Sequence, residues 1–184
     1  LIPSTVSAED LNQLEDTFRI KYPANYRDFL QTYHYYELPE VGARFWKFLP
    51  LTWRKDFELN YKGYDPSRIL GRGLLPIADE SFMDAGFLCL DLSKSSENPP
   101  VVLWDHECIG TESEVQTVFS NFDRMLAAIT FAFDQEINFF YSSNKDDTNS
   151  LSRKQELLKA FLAFDPEGAG TLGRKYWTSF GVTA

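Results

Sequence analysis

The chain has 184 residues, of which 43% are hydrophobic and 16% are aromatic, so it can bury a substantial core and is not a disordered segment. Its formal net charge is −9, from 27 acidic and 18 basic residues, which argues against direct binding to the negatively charged backbone of a nucleic acid. No apolar run reaches the roughly 18 residues that a membrane-spanning helix needs, so we expect no membrane partner.

The cysteine content indicates a reducing compartment. The two cysteines, Cys89 and Cys108, form neither a disulfide framework nor a zinc-binding pattern. Cys89 stands between apolar residues in a predicted strand, where we expect it to be a small buried side chain. A cytoplasmic location follows from this usage.

Two helices are predicted near the beginning of the chain. Ser7 followed by Asp10 has the spacing of a capping box, which opens the first helix. The apolar stripe of that helix consists of Leu11, Leu14 and Phe18. Pro23 predicts the start of the second helix, where a missing backbone N–H costs nothing. The apolar face of the second helix consists of Tyr26, Phe29, Leu30 and Tyr33.

The next part of the chain is less regular. Residues 41–49 are rich in β-branched and aromatic side chains and predict a strand. Residues 52–61 fit either a helix or a strand, and we favour the helix. Residues 63–73 contain three glycines and one proline, which predicts a loop.

Residues 75–107 are the most informative stretch, because they predict a β-hairpin with acidic groups at its ends. A short apolar entry at 75–78 leads to an acidic turn and then to a strand over 84–92. A polar loop joins that strand to a second one, over 101–107, which ends in charged residues. A short edge strand is predicted at 115–119.

The C-terminal part predicts a helix, a linker and a second helix. Ser120 with Asp123 is expected to cap a helix that extends to about residue 140. Its apolar face consists of Phe122, Leu126, Ile129 and Phe133. The polar residues 142–150 predict a linker, which divides the chain into a domain over 1–141 and a helical extension over 151–184. The extension carries an apolar stripe that should dock on the domain or on a second copy of the chain: Leu158, Phe161 and Leu162.

The order of these elements, with the residues at their joints, resembles the SUKH superfamily, which includes Smi/Knr-type cell-wall regulators. The residues that match its opening pattern are Glu15, Phe18, Ile20, Tyr22, Pro23, Tyr26, Phe29 and Leu30. The central pattern matches residues 75–78, 84–92 and 105–107, and the closing helix matches Phe119, Phe122, Met125 and Leu126. The resemblance covers residues 7–141. It departs from the family at 35–38, where an Asn-Gly turn is usual, and in the extension beyond residue 141.

The resemblance implies an α+β fold and a binding function. We expect a twisted antiparallel sheet of about four to six strands, packed against N-terminal and C-terminal helices. The nine residues that we expect to be largely buried in its core are Tyr26, Phe29, Leu30, Leu88, Leu90, Leu103, Phe122, Leu126 and Ile129. Bacterial members of the superfamily are immunity proteins that neutralise toxin domains, often nucleases, whereas fungal members are interaction modules in cell-wall synthesis and signalling. A non-catalytic immunity protein is therefore the favoured function, and a regulatory or scaffolding module is the alternative. An unrecognised hydrolase is a third hypothesis, which loss of turnover on replacing His106 would support.

The acidic groups at the hairpin ends are the candidate binding residues for a basic toxin domain. They are Asp79, Glu80, Asp84, Asp105, His106 and Glu107. A solvated turn explains the same residues without any partner. An acid–base role for the last three is disfavoured because neighbouring strand residues point to opposite faces, so we expect no catalytic residue.

No cofactor or metal is expected. Gly71-Arg72-Gly73 lacks the length and the following Lys-Ser/Thr of a phosphate loop and predicts a turn. The residues from Asp165 onward follow the spacing of a calcium loop only in part, since Ala169 and Tyr176 occupy two ligand positions. A helix-ending turn is the better interpretation of that segment.

Overall fold

A computed structural model describes residues 2–35, 47–48, 69–79, 86–134, 159 and 162–175. These residues form an α+β fold. Two helices that precede the main sheet in the sequence and one helix that follows it pack on the same face of that sheet. The predicted fold class is confirmed. None of the helices within the described residues is long and apolar enough to cross a lipid bilayer.

Two helices precede the sheet, α1 (Ala8–Phe18) and α2 (Ala24–Thr32). The predicted capping box is present: Ser7 Oγ accepts a hydrogen bond from the Asp10 amide at 3.1 Å, and Asp10 Oδ2 accepts one from the Ser7 amide at 2.8 Å. Pro23 immediately precedes α2, as predicted.

A two-stranded antiparallel ladder joins the start of the chain to the end of α2. It consists of β1 (Ile2–Pro3) and β2 (Tyr33–Tyr35). Tyr33 was expected on the face of α2, but its backbone pairs with Pro3 and begins β2. Helix α2 therefore ends where its chain pairs with Pro3, thirty residues earlier in the sequence. The apolar pattern of α2 alone does not reveal this pairing.

The main sheet is an antiparallel meander in which each described strand lies beside the next one in sequence. Helix α3 (Phe122–Asp134) follows the last strand. The strands are β3 (Lys47–Phe48), β4 (Leu74–Asp79), β5 (Gly86–Asp91), β6 (Val101–Asp105) and β7 (Val115–Phe119). The edge strand predicted at 115–119 is confirmed as β7.

Three local predictions are corrected by the structure. The apolar entry at 75–78 belongs to a full strand, β4, whose continuous apolar run is typical of a strand buried on both faces. The second hairpin strand ends at Asp105, and His106–Cys108 form a 3₁₀ turn. The cap of α3 is Asn121 rather than Ser120, since Asn121 Oδ1 accepts from the Arg124 amide at 2.9 Å.

Apolar clusters cover both faces of the sheet. Leu88 and Leu90 of β5 pack with the helices, and the alternating residues Phe87 and Cys89 pack with Trp104 on the opposite face. Cys89 is fully buried, as predicted. The predicted core residues that are buried are Tyr26, Phe29, Leu30, Leu88, Leu90, Leu103 and Phe122. Leu126 is only partly buried, and the side chain of Ile129 lies outside the described residues.

The C-terminal segment contacts the domain. Leu162 packs against the helix-side core, and the ring of Phe164 lies 5.3 Å from that of Phe131. A π-helical turn, Gly168–Leu172, contacts β7. The proposed boundaries of the linker at 142–150, the strand residues 41–46 and the segment 52–61 lie outside the described residues, so these assignments stay predictions.

Candidate functional site

Two of the predicted site residues lie at the same end of the sheet. Asp79 pairs with Phe87, and Asp105 pairs with the preceding residue, Gly86. The backbones of Asp79 and Asp105 therefore lie on either side of β5, about 10 Å apart from the usual interstrand spacing. Glu80 and Asp84 belong to the connection between β4 and β5, which lies outside the described residues.

Close contact between β5 and β6 determines where the chain leaves the sheet. A Cβ atom on Gly86 would lie 1.8 Å from the Trp104 carbonyl oxygen and 3.1 Å from the Cα of Asp105. Only glycine permits this approach, because the obstructing atoms belong to the backbone of β6 and cannot rotate away. The position of Asp105 is thus set by backbone packing.

Beyond Asp105 the chain forms a loop that returns to β7, and we call residues 105–114 the acidic corner. Asp105 caps the 3₁₀ turn, since its Oδ1 accepts a hydrogen bond from the Glu107 amide at 2.8 Å. The turn replaces the strand geometry assumed for His106 and Glu107, so alternation between sheet faces does not apply to them. His106 is half-buried, with its ring 6.4 Å from that of Trp104.

The chemistry of this turn does not favour nucleophilic catalysis. Cys108 lies close to Asp105 and follows His106 by two positions in the chain, and carboxylates and imidazoles are residue types found in cysteine-dependent sites. The hydrogen bond to Asp105, with burial and the nearby negative charges, raises the pKa of the Cys108 thiol. A catalytic cysteine needs the opposite shift, because its thiolate is the nucleophile.

Glu114 organises the acidic corner from within. Its carboxylate accepts hydrogen bonds from the Gly110 amide at 2.9 Å and the Trp104 indole at 3.2 Å, and it forms an ion pair with Arg72. The Gly110 hydrogen bond holds the pKa of Glu114 below its usual value, with help from Trp104 and Arg72 and against a smaller effect of burial. The ionised Glu114 side chain, 13% exposed, ties the loop to β6 and to the turn before β4.

No motif in the sequence singles out Glu112 or Glu114. Both stand in the polar stretch 111–114 directly before a predicted strand, and this position is the only signal that could have found them. Glu112 is exposed, as is the predicted site residue Glu107. The acidic corner therefore presents two exposed carboxylates on a loop that a third carboxylate holds in place.

A groove of about 500 Å³ lies on the face of the sheet away from the helices. Its described charged lining residues are Arg72, Lys94 and Asp91. Asp91 is buried and accepts hydrogen bonds from Ser93, while Arg72 is paired with Glu114. Asp91 and Arg72 thus serve a turn and the acidic corner rather than converging on the groove.

The calcium-like segment does not have the geometry of a metal site. Asp165 is 1% exposed, and its two carboxylate oxygens accept hydrogen bonds from the backbone amides of Ser120 and Gly168. Among the described residues, no group of three or more His, Cys, Asp or Glu side chains is arranged to hold a metal ion. Asp165 follows the helical residues 162–164, and the chain continues in further helical turns to Leu172 instead of ending a helix there as predicted.

The helices and the sheet lie largely within the region of the chain that matches a known protein family. Residues 5–128 match the model of the SMI1 / KNR4 family (SUKH-1), which covers more than half of the chain. The chain belongs to this family. No curated protein matches it. The acidic corner lies inside the SUKH region, whereas the C-terminal segment from Leu162 onward lies outside it.

Proposed function

We propose that this SUKH protein is an immunity protein that binds and neutralises a basic toxin domain, and that the acidic corner contributes to the binding surface. The observation that supports this proposal is a pair of exposed carboxylates, Glu107 and Glu112. They lie on a loop that the largely buried carboxylate of Glu114 holds in place. The other residues that we propose for this surface are the remaining sequence candidates, Asp79, Glu80, Asp84, Asp105 and His106.

The negative net charge and the fixed conformation of the acidic corner both favour capture of a basic partner. A net charge of −9 attracts cationic proteins and raises the rate of their encounter. A loop already held by the hydrogen bonds of Glu114 loses little conformational freedom on binding, which reduces the entropic cost of association. The two free thiols, Cys89 and Cys108, fit a reducing cytoplasm.

The test is a comparative capture experiment. The parent protein and a Glu107→Gln/Glu112→Gln variant serve as baits in a lysate of the source organism and of its competitors, and the captured proteins are quantified. The matched control is Glu9→Gln/Glu97→Gln, which removes two exposed carboxylates elsewhere. We expect the parent and the control to retain a basic toxin domain that the corner variant loses.

Neutralisation is then measured directly. The captured domain is expressed in a host with each variant, and growth is recorded. Protection by the parent and the control, but not by the corner variant, supports the immunity function. Capture of cell-wall synthesis or signalling proteins without any protective effect would instead favour the regulatory module. Equal protection by all variants would place the binding surface elsewhere on the molecule.

A further inference from the structure

The C-terminal segment lies along β7, the last strand in the order of the described sheet, and we call residues 162–175 the strap. At one end of β7, the Asp165 carboxylate accepts a hydrogen bond from the Ser120 amide at 2.6 Å. At the other end, Lys175 Nζ donates to the Glu112 carbonyl oxygen at 3.4 Å. The strap therefore passes the whole length of β7, from the residue after the strand to the loop before it.

Between these two ends the strap touches the backbone of β7. A Cβ atom on Gly173 would lie 3.0 Å from the carbonyl oxygens of both Thr117 and Val118. A Cβ atom on Gly168 would lie 2.6 Å from the Ser120 amide nitrogen. These are main-chain atoms, and the main-chain polar groups are what an edge strand offers to another strand. Because the strap is helical here, it covers the edge of β7 without extending the sheet.

The sequence of β7 favours pairing with a further strand wherever its edge is uncovered. Every second residue of an edge strand directs its N–H and C=O groups away from the sheet. Proteins usually protect such an edge with charged side chains, a proline, a bulge or a covering segment. Val115–Phe119 reads Val-Gln-Thr-Val-Phe and contains neither a charge nor a proline. Its protection therefore comes from the other two devices.

A β-bulge protects only one end of β7. Val101 pairs with Phe119 whereas Val102 pairs with Thr117, so Val118 is an additional residue in β7. In agreement with a bulge, the adjacent residues Val118 and Phe119 are both buried in the helix-side core. From Thr117 back to the start of the strand the register is regular. This regular part keeps the geometry to which another strand can pair, and the strap lies beside it.

The strap buries little apolar surface beyond Asp165. Leu162 and Phe164, which precede Asp165, are partly buried, but Leu172 is 54% exposed and Lys175 is exposed. Segments with few buried apolar contacts open at low free energy compared with the whole domain. The strap can therefore leave β7 while the sheet and its core remain folded.

We infer that the strap is a detachable cover of the sheet edge, and that its release exposes β7 as a pairing surface for β7 of a second copy of the chain. Two identical edges related by a two-fold axis pair antiparallel, which is the geometry of the main sheet. Since Val115–Phe119 carries no charge, no like charges meet across the paired strands. This inference does not depend on the acidic corner.

The first measurement is the release of the strap. One variant, Asp165→Asn/Gly173→Ala, weakens the anchor at Ser120 and places a methyl group against the backbone of β7. A second variant, Gly168→Ala, places a methyl group against the Ser120 amide. The control is Thr171→Ala, at an exposed position of the strap. We expect amide hydrogen exchange at Ser120 to be faster in both variants and unchanged in the control, while exchange of the β5 amides stays as in the parent.

The second measurement is the oligomeric state of the full-length chain, by sedimentation velocity over a concentration series. We expect the parent and Thr171→Ala to be monomers and the two released variants to form dimers in a fraction that rises with concentration. Adding Gln116→Lys to a released variant places like charges in the regular part of β7 on both copies, and the dimer should be lost. Asn98→Lys adds the same charge in an exposed loop and should leave the dimer intact.

Each other outcome would overturn the inference. If exchange at Ser120 rises in neither variant, the strap is not a detachable cover. If exchange of the β5 amides rises together with that of Ser120, the strap is part of the cooperative core. If the strap is released but the chain stays monomeric, or if the dimer persists with Gln116→Lys, β7 is not the pairing surface. A dimeric parent would show that the strap does not control pairing.

Discussion

Glu15 of α1 and Arg27 of α2 form a partly buried ion pair, with Glu15 Oε2 3.3 Å from Arg27 Nη1. The Glu15 side chain is 5% exposed and also accepts hydrogen bonds from the Tyr22 amide and from Lys21 Nζ. Arg27 donates to the Ala8 carbonyl oxygen as well, so it connects the two ends of α1 to α2. The pair holds the two N-terminal helices in the arrangement that covers the sheet.

Glu15→Gln should lower the free energy of unfolding by about 1–3 kcal/mol, because an amide cannot accept the same set of charged and backbone donors. Urea unfolding at pH 7 measures the change, and Asp16→Asn, at an exposed neighbouring position, is the control. A loss equal to that of the control would show that the ion pair contributes nothing beyond its surface charge.

The same pair predicts a pH dependence. Burial opposes ionisation of Glu15, but the Tyr22 hydrogen bond and the cations Lys21 and Arg27 outweigh it and lower the pKa below 4.5. Because the folded pKa is the lower one, the stabilisation is complete above pH 4.5 and is lost as the pH falls through the folded pKa. The stability difference between the parent and Glu15→Gln should therefore shrink in acid, and a constant difference would contradict the assignment.

Met125 and its neighbour Leu126 test the packing of α3. Met125 is fully buried and Leu126 only partly so. Met125→Ala should cost about 2–5 kcal/mol through lost burial and a residual cavity, and Leu126→Ala should cost less. Unfolding midpoints of the two variants give the comparison. The reverse order would mean that α3 presents a different face to the sheet.

Glu114→Gln should loosen the acidic corner and cost about 1–3 kcal/mol, because the carboxylate accepts from Gly110, Trp104 and Arg72. Since the indole of Trp104 loses a charged partner, its fluorescence should change at the same time. Glu112→Gln, two residues away and exposed, is the control and should change neither property. If the two substitutions change stability and fluorescence equally, Glu114 does not hold the acidic corner in place.

Charge-driven capture predicts a salt dependence once a partner has been isolated. Glu107→Gln/Glu112→Gln should reduce the association rate and flatten its dependence on salt, since screening acts over about 8 Å at physiological ionic strength. Stopped-flow measurements at low and high salt, with Glu97→Gln as control, give both quantities. A triple variant, Asp79→Asn/Glu80→Gln/Asp84→Asn, tests the neighbouring candidates. If the association rates of all variants and their dependence on salt match those of the parent, these carboxylates belong to solvated turns and do not bind the partner.

Calorimetry with calcium and with zinc should detect no binding tighter than about 0.1 mM, the weak end of natural calcium sites. The physical reason is that both oxygens of Asp165 already accept backbone hydrogen bonds. Asp165→Asn serves as the control for any weak signal. A micromolar calcium site that disappears in this variant would contradict the geometry of the segment.

Local patterns in the sequence determined the helices and the central strands. The capping box of Ser7 and Asp10 depends on contacts between residues three positions apart, and the helix start at Pro23 depends on the local geometry of proline. The strands β5 and β6 follow from dense apolar runs bounded by polar loops. These features, with the SUKH resemblance, were sufficient for the α+β fold and for seven of the nine predicted core residues.

The roles of individual charged residues were decided only by the tertiary structure. Asp165 follows part of a calcium pattern, yet its carboxylate meets the amide of Ser120, 45 residues earlier. Glu114 meets Arg72 across 42 residues and so becomes the support of the acidic corner. A carboxylate has the same chemistry as an exposed ligand, a helix cap or a buried anchor. Which donors surround it depends on contacts between distant parts of the chain, and no local pattern encodes them.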